Sequence, residues 1–336
     1  GKAMKIERVV ITGGTHGNET NGVQLAKHLL RNPELCKRPS FETRVLLTNT
    51  AAIKANARYV DEDLNRCFVS SLLDDASRGS VEAKRARELN GELGPKGSST
   101  PASDLIIDLH NTTAATGVAL LTAPDDELCR AVAARLIEHD PEVRLCFWKD
   151  RPRAEYPLLP SIAPHGMTFE VGPAPWGCIA PQLYAASLSL LLLALDYLHE
   201  HNLAAAAGGP WKQVTIPVYK GLGVRSYPRH ADGELAAMVH PSLQGRDFCE
   251  LRVGDPVFQT HSLETVCFGS DEDPTALPAG AESMTFYPFF INEAAYYEVD
   301  VAFTLGVREE ASVTVAAPAD SLKRQKREAS EGCAPS

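Results

Sequence analysis

The sequence predicts an α/β domain built on a mostly parallel sheet, followed by a smaller, mainly β domain. Two observations carry that prediction. Over the first two-thirds of the chain, strand-like and helix-like segments alternate; beyond Gly208-Gly209-Pro210 only short β-like runs and turn signals remain. A third observation sets the scale. At 336 residues, with 44% hydrophobic and 23% charged side chains, the chain can bury one large core or two moderate ones.

The elements follow in order. Residues 8–12, 43–49, 104–110, 117–123, 143–148 and 167–171 are short apolar or β-branched runs that end in polar residues or glycine, as strands do. Between them, residues 19–30, 81–93, 127–138 and 181–199 carry helical patterns. Gly79-Ser80 before Val81, and Pro181 in a first turn, are start signals. The later β-like runs are 214–219, 235–239, 255–260, 284–291, 301–305 and 312–316. The expected division is 1–204 for the α/β domain and 205–318 for the β-rich one. Residues 319–336, with the basic run Lys323-Arg324-Gln325-Lys326-Arg327, are expected to be a disordered, solvated tail.

Composition excludes some classes. A net charge of -10 argues against a nucleic-acid binder, which normally presents a basic face. The eight cysteines (36, 67, 129, 146, 178, 249, 267 and 333) form no C-x-x-C pair and read as reduced thiols of a cytoplasmic protein. Gly1-Lys2-Ala3-Met4 begins no apolar leader, which leaves the Asn111-Thr112-Thr113 glycosylation sequon without a use. The apolar stretch at 183–198 is interrupted by Ser187, Ser189 and Asp196 and is shorter than the roughly 20 residues a membrane span needs. A buried helix is expected there.

Four segments carry chemistry. Thr15-His16-Gly17-Asn18-Glu19 and Asp108-Leu109-His110-Asn111-Thr112-Thr113 each stand where a strand ends, the edge at which parallel sheets bind ligands. Two His and one Glu form a ligand set for catalytic zinc, because three protein ligands leave a position open for water. Asp108 shares a strand face with His110 and can fix the tautomer of that imidazole. Taken singly, either segment also reads as capping and strand-end polar residues without a metal. The Gly13-Gly14 loop lacks both the P-loop ending and the dinucleotide spacing. Glu170 is a lone carboxylate in an otherwise apolar run, placed to act as a general base or to pair in a salt bridge. In the acid-dense loop at 58–66, Arg58, Asn65 and Arg66 suit the grip of an anion, unless its Asp and Arg simply pair.

These segments, together with Tyr227-Pro228-Arg229, His240-Pro241-Ser242-Leu243-Gln244 and the run from Tyr287 through Asn292-Glu293-Ala294-Ala295-Tyr296-Tyr297-Glu298, resemble the aspartoacylase family in order along residues 6 to 303. The resemblance implies a zinc-carboxypeptidase-like mixed sheet flanked by helices, with the smaller β domain capping the site. It implies hydrolysis of N-acyl amino acids with one zinc per subunit, held by His16, Glu19 and His110. Glu170 matches the general base and Arg58 the group that polarises the scissile carbonyl. Asn65 and Arg66 match binders of the substrate carboxylate; Tyr156 and Tyr296 match tyrosines that line the pocket. The expected partner is a small N-acyl amino acid, with neither nucleic acid nor a membrane span, in a cytoplasmic homo-oligomer.

Two departures bear on the substrate. Aspartoacylases proper carry an arginine ten residues before the general base, where this chain has Pro160 within the apolar run 158–162. A substrate side-chain carboxylate buried there without a partner would cost several kcal/mol in order of magnitude. The pattern is therefore closer to the type III aminoacylases, which act on aromatic N-acyl amino acids and mercapturates. Trp176 stands where the family usually has Gln, which alters the turn around it. The alternatives are an aspartoacylase that recruits another cation for N-acetyl-aspartate, and a zinc-binding partner protein with no catalysis.

Overall fold

The computed structural model describes residues 5–316. Residues 1–4, the expected tail and Cys333 lie outside the described residues. One eight-stranded sheet organises the molecule. Its strands are β1 (Arg8–Gly13), β2 (Glu42–Leu47), β3 (Leu105–Asn111), β4 (Gly117–Thr122), β5 (Arg144–Phe147), β6 (His165–Gly172), β7 (Trp211–Arg225) and, last in the chain, β11 (Phe303–Ala316). Their spatial order is β11-β7-β5-β4-β6-β3-β1-β2. β2, β1, β3 and β6 run parallel; β4 is antiparallel to β6, and β11 to β7. The sheet is thus mixed. β8 (Ala237–Val239), β9 (Pro256–Thr260) and β10 (Thr265–Cys267) form a separate antiparallel sheet.

Strand alternation assigns the two faces. Val9, Ile11, Leu105, Ile107, Leu109, Met167 and Phe169 all join one large apolar cluster. Helices α1 (Thr20–Arg31), α5 (Glu127–His139) and α6 (Pro181–Ala207) cover that face with Leu25, Leu29, Val132, Leu136, Leu191 and Leu195. The alternate residues Val10 and Ile106 pack instead against Leu64, Phe68, Leu89 and Ile162. Thr12, Asp108, His110, Thr168 and Glu170 share this second face by the same alternation. It is closed by α4 (Val81–Leu93) and by the C-terminal region, because α1, α5 and α6 all lie behind the sheet.

Several elements differ from expectation. α6 continues past His199 to Ala207, and at 27 residues it is long and apolar enough to cross a membrane by length and composition alone, unlike the shorter stretch expected. It packs Leu190, Leu191, Ala194, Leu195 and Leu198 into the core, with 39% of its most apolar window buried. The runs at 301–305 and 312–316 are parts of one continuous β11, which pairs with β7 along its length. The β7–β11 ribbon joins the large sheet through β5 and reaches the small apolar core around Phe258, Phe286 and Phe303. Strands from the part of the chain beyond residue 205 thus extend the large sheet. Residues 284–291 form no strand, only isolated bridges at Phe286 and Phe289. Two short helices, α2 (Thr50–Ala55) and α3 (Ser70–Leu73), lie in stretches with no expected element. Among the described residues all cysteines are free thiols.

The loop that carries Arg58 is fixed from below by α4. Ser80 caps that helix by accepting from the Ala83 N–H at 3.0 Å. Its Glu82 carboxylate is fully buried and accepts from Asn49 Nδ2 and from the backbone N–H groups of Val60, Asp61 and Glu62. Burial pushes this carboxyl up, but those four donors outweigh burial and hold it below the usual carboxylate range. Its contribution is therefore present above the ordinary Glu value of about 4.3 and is lost as pH falls through the lower folded value. Glu82→Ala strands several buried donors and is expected to cost about 3 kcal/mol. Chemical denaturation at neutral pH checks this, and the deficit should shrink below pH 4.

Candidate metal centre and substrate cavity

Three strand ends build the site. His16 follows β1, His110 stands at the end of β3, and Glu170 lies beside it on β6, since the parallel register pairs His110 with Glu170. Gly17 lets the loop after β1 turn against α2; a Cβ there would meet the Ala52 carbonyl carbon at 2.0 Å. α1 starts at Thr20 rather than Glu19, so Glu19 is the helix cap and its side chain is free to turn inward.

His16, Glu19 and His110 converge, all buried. Glu19 Oε1 lies 2.5 Å from His16 Nδ1, and Glu19 Oε2 lies 2.8 Å from His110 Nδ1. The two Nδ1 atoms are 3.2 Å apart. The outer nitrogens are already occupied. His110 Nε2 meets Asp108 Oδ2 at 2.7 Å, and His16 Nε2 meets Asp63 Oδ1 at 3.0 Å. A neutral imidazole carries one N–H, and each carboxylate holds that proton on Nε2, so both Nδ1 atoms present lone pairs. Two such nitrogens and a carboxylate that face one another within hydrogen-bond distance are stabilised by a positive charge between them, which a metal ion, or in its absence a proton, supplies. A 3.2 Å separation fits two nitrogens at about 2.0–2.1 Å from one tetrahedral zinc, which places them about 3.3 Å apart. The donor set therefore fits the metal.

The surrounding charges support this arrangement. Asp108 is fully buried, and Thr12 Oγ1 (2.7 Å) and Thr15 Oγ1 (2.9 Å) donate to it. Without a metal ion the neighbouring acids hold a proton at the centre: burial lowers the His110 basicity, but Asp108 and Glu19 outweigh it and push the imidazole well above its ordinary value. Burial opposes the ionised Glu19, and the two histidines overcome it, which holds the carboxyl well below the usual range. Asp63 is likewise held low against burial by His16, Arg58 and Arg66.

The cavity opens from this centre along the sheet face. Of the residues expected to bind substrate, Arg58, Asn65, Arg66, Glu170 and Tyr296 line it. Arg58 donates to Asp63 Oδ2 at 3.0 Å and to Glu19 Oε1 at 3.4 Å, so it pairs with an acid and faces the cavity at once. Asn65 Oδ1 accepts from the Leu159 N–H at 2.8 Å, which fixes the amide so that Nδ2 is left to donate. Burial pushes Glu170 up to about 8, with Glu19 and Glu293 acting in the same direction and His110 and Arg58 against it.

Tyr156 does not line the cavity. It is buried behind Trp148, ring centroids 5.3 Å apart, and Trp148 forms the wall with Leu121, Leu158 and Phe290. Pro160 points away into the body, where it leaves no room for a side chain at Gly166. Trp176 is exposed and outside the cavity lining. Glu293 was not anticipated from the sequence. This buried carboxylate lines the cavity and accepts from Thr112 Oγ1, from Thr113 Oγ1 and N–H at 2.9 and 2.7 Å, and from the Ala295 N–H at 3.2 Å. It pins the turn bearing Tyr296 to the segment just after His110.

The chain is similar to known proteins along most of its length. Residues 5–198 match the family model of the succinylglutamate desuccinylase/aspartoacylase catalytic domain, and residues 214–308 match that of the AstE/AspA barrel-sandwich hybrid domain. A probable aspartoacylase of Acaryochloris marina is 39% identical over 92% of this chain and 98% of its own length. The human N-acyl-aromatic-L-amino acid amidohydrolase (carboxylate-forming) is 39% identical over 89% of each chain. The crystal structure of murine aminoacylase 3 superposes with a TM-score of 0.84 at 37% identity, covering 94% of this chain and 99% of that one.

Proposed function

This chain belongs to the succinylglutamate desuccinylase/aspartoacylase family, and we propose that it is a zinc amidohydrolase that deacylates N-acyl amino acids with neutral, chiefly aromatic, side chains. His16, Glu19 and His110 would hold the metal. When bound, zinc would supply a Lewis acid that makes water a nucleophile near neutral pH. Glu170, at the edge of that centre, would take the proton from the attacking water and return it to the leaving amine. Arg58 would stabilise the charge that develops on the former carbonyl oxygen, where a fixed guanidinium costs no reorganisation. Arg66 and the Nδ2 of Asn65 would hold the α-carboxylate.

The observation that carries the substrate class is the far wall. Leu121, Trp148, Leu158 and Phe290 offer no cation to a second carboxylate, while Arg58 is engaged by Asp63 and Glu19. An aromatic side chain would bury its rings there, whereas an aspartate side chain would lose its hydration without a partner. The division into a hydrolase domain and a capping β-rich region, and the zinc itself, belong to this same proposal. Parallel assays of N-acetyl-tyrosine and N-acetyl-aspartate test it. The expected kcat/KM ratio favours tyrosine by about 100-fold or more; a preference for aspartate would favour the aspartoacylase reading instead.

A further inference from the structure

We propose that Lys96 is a positioning residue that clamps together the two walls of the substrate cavity. Lys96 follows α4 and touches no residue of the metal centre. Its ammonium donates to the Phe68 carbonyl at 2.7 Å, the Tyr156 carbonyl at 2.6 Å and Ser161 Oγ at 2.9 Å. Phe68 lies just after Asn65-Arg66, the proposed carboxylate grip. The segment 156–161 carries Leu158 in the cavity wall and supports Trp148 through Tyr156.

The same two segments meet at two further points. The Phe68 N–H donates to Pro157 O at 3.2 Å, and the Leu159 N–H donates to Asn65 Oδ1 at 2.8 Å. The second of these sets the orientation of the Asn65 amide. Lys96 thus closes a zipper whose other teeth place the Asn65 Nδ2 and Leu158. Its three acceptors are all uncharged, and it makes no ion pair among the described residues. Burial, reinforced by the charge of Arg153, pushes the ammonium down to about 7. A lysine placed in this way serves the geometry of the carbonyls around it rather than charge balance.

The inference rests on the reading of the cavity as an N-acyl amino acid site, and its test separates the two. In the full chain loaded with zinc, Lys96→Met should raise KM for N-acetyl-tyrosine about tenfold, with kcat within about threefold and metal content unchanged. Lys96→Arg, which keeps the donors, should recover most of that loss. Hydrogen exchange needs no substrate. In Lys96→Met the Phe68 and Leu159 amides should exchange about tenfold faster or more, while amides of β1 and β3 keep their wild-type rates. If Lys96→Met does not fold, Lys96→Gln, which keeps a shorter donor, should show the same pattern more weakly. Unchanged exchange at Phe68 and Leu159, or a loss carried by kcat at constant KM, would overturn the clamp. A wild-type protein inactive on every N-acyl amino acid would refute the functional reading, and the exchange data would still decide the role of Lys96.

Discussion

Glu170→Gln is expected to lower kcat by about 10³-fold, with KM and bound zinc little changed, because Gln keeps the shape of the wall but cannot carry the proton. Glu170 lies in the cavity beside His110 and is not one of the three converging ligand groups. The same substitution has a second effect in the metal-free protein. There burial holds the Glu170 pKa near 8, above its unfolded value of about 4.3, so the folded state retains a proton that the unfolded state has lost. The associated stability is complete below about pH 4 and is lost as pH rises through 8. Metal-free Glu170→Gln should therefore melt above metal-free wild type at pH 8, by a few kcal/mol at most, and match it at pH 4. Activity that survives Glu170→Gln would remove this residue from the mechanism.

The second large effect is expected at His110. His110→Ala removes a ligand and also leaves Asp108 buried without its imidazole partner. Zinc content should fall from about one per chain to near zero, and activity should fall with it. The folded state should lose about 3 kcal/mol beyond the metal's own contribution, since breaking a buried pair exposes an uncompensated charge to the low-dielectric interior. Thr12 and Thr15 still donate to Asp108 and limit that cost. Thermal melts of metal-free wild type and variant measure the difference. Zinc bound at full stoichiometry in His110→Ala would place the metal elsewhere.

The comparison of sequence and structure separates what is local from what is not. His16, Glu19 and His110 are legible because they stand in the segments that follow or end two β-like runs, and strand ends of a parallel sheet converge. Asp108 and His110 share a face by the period of two, and the structure places Asp108 on the outer nitrogen of His110 as that period implies. Glu293 and the second role of Asp63 are not legible. Glu293 reaches Thr112 and Thr113 across about 180 positions of chain, and no local pattern encodes that approach. Tyr156 and Trp148 illustrate a related loss. Both are aromatic and close in sequence, and only packing decides which ring faces the cavity. The β7–β11 ribbon reads locally like any pair of strands, so its union with the large sheet through β5 is hidden until the register is known.

The most direct test of the account is a zinc titration of metal-stripped protein followed by activity on N-acetyl-tyrosine. The account predicts no turnover without metal, and activity that rises linearly to a break at about one zinc per chain and then stays level. Turnover in the stripped protein, or activity that does not follow zinc, would contradict it.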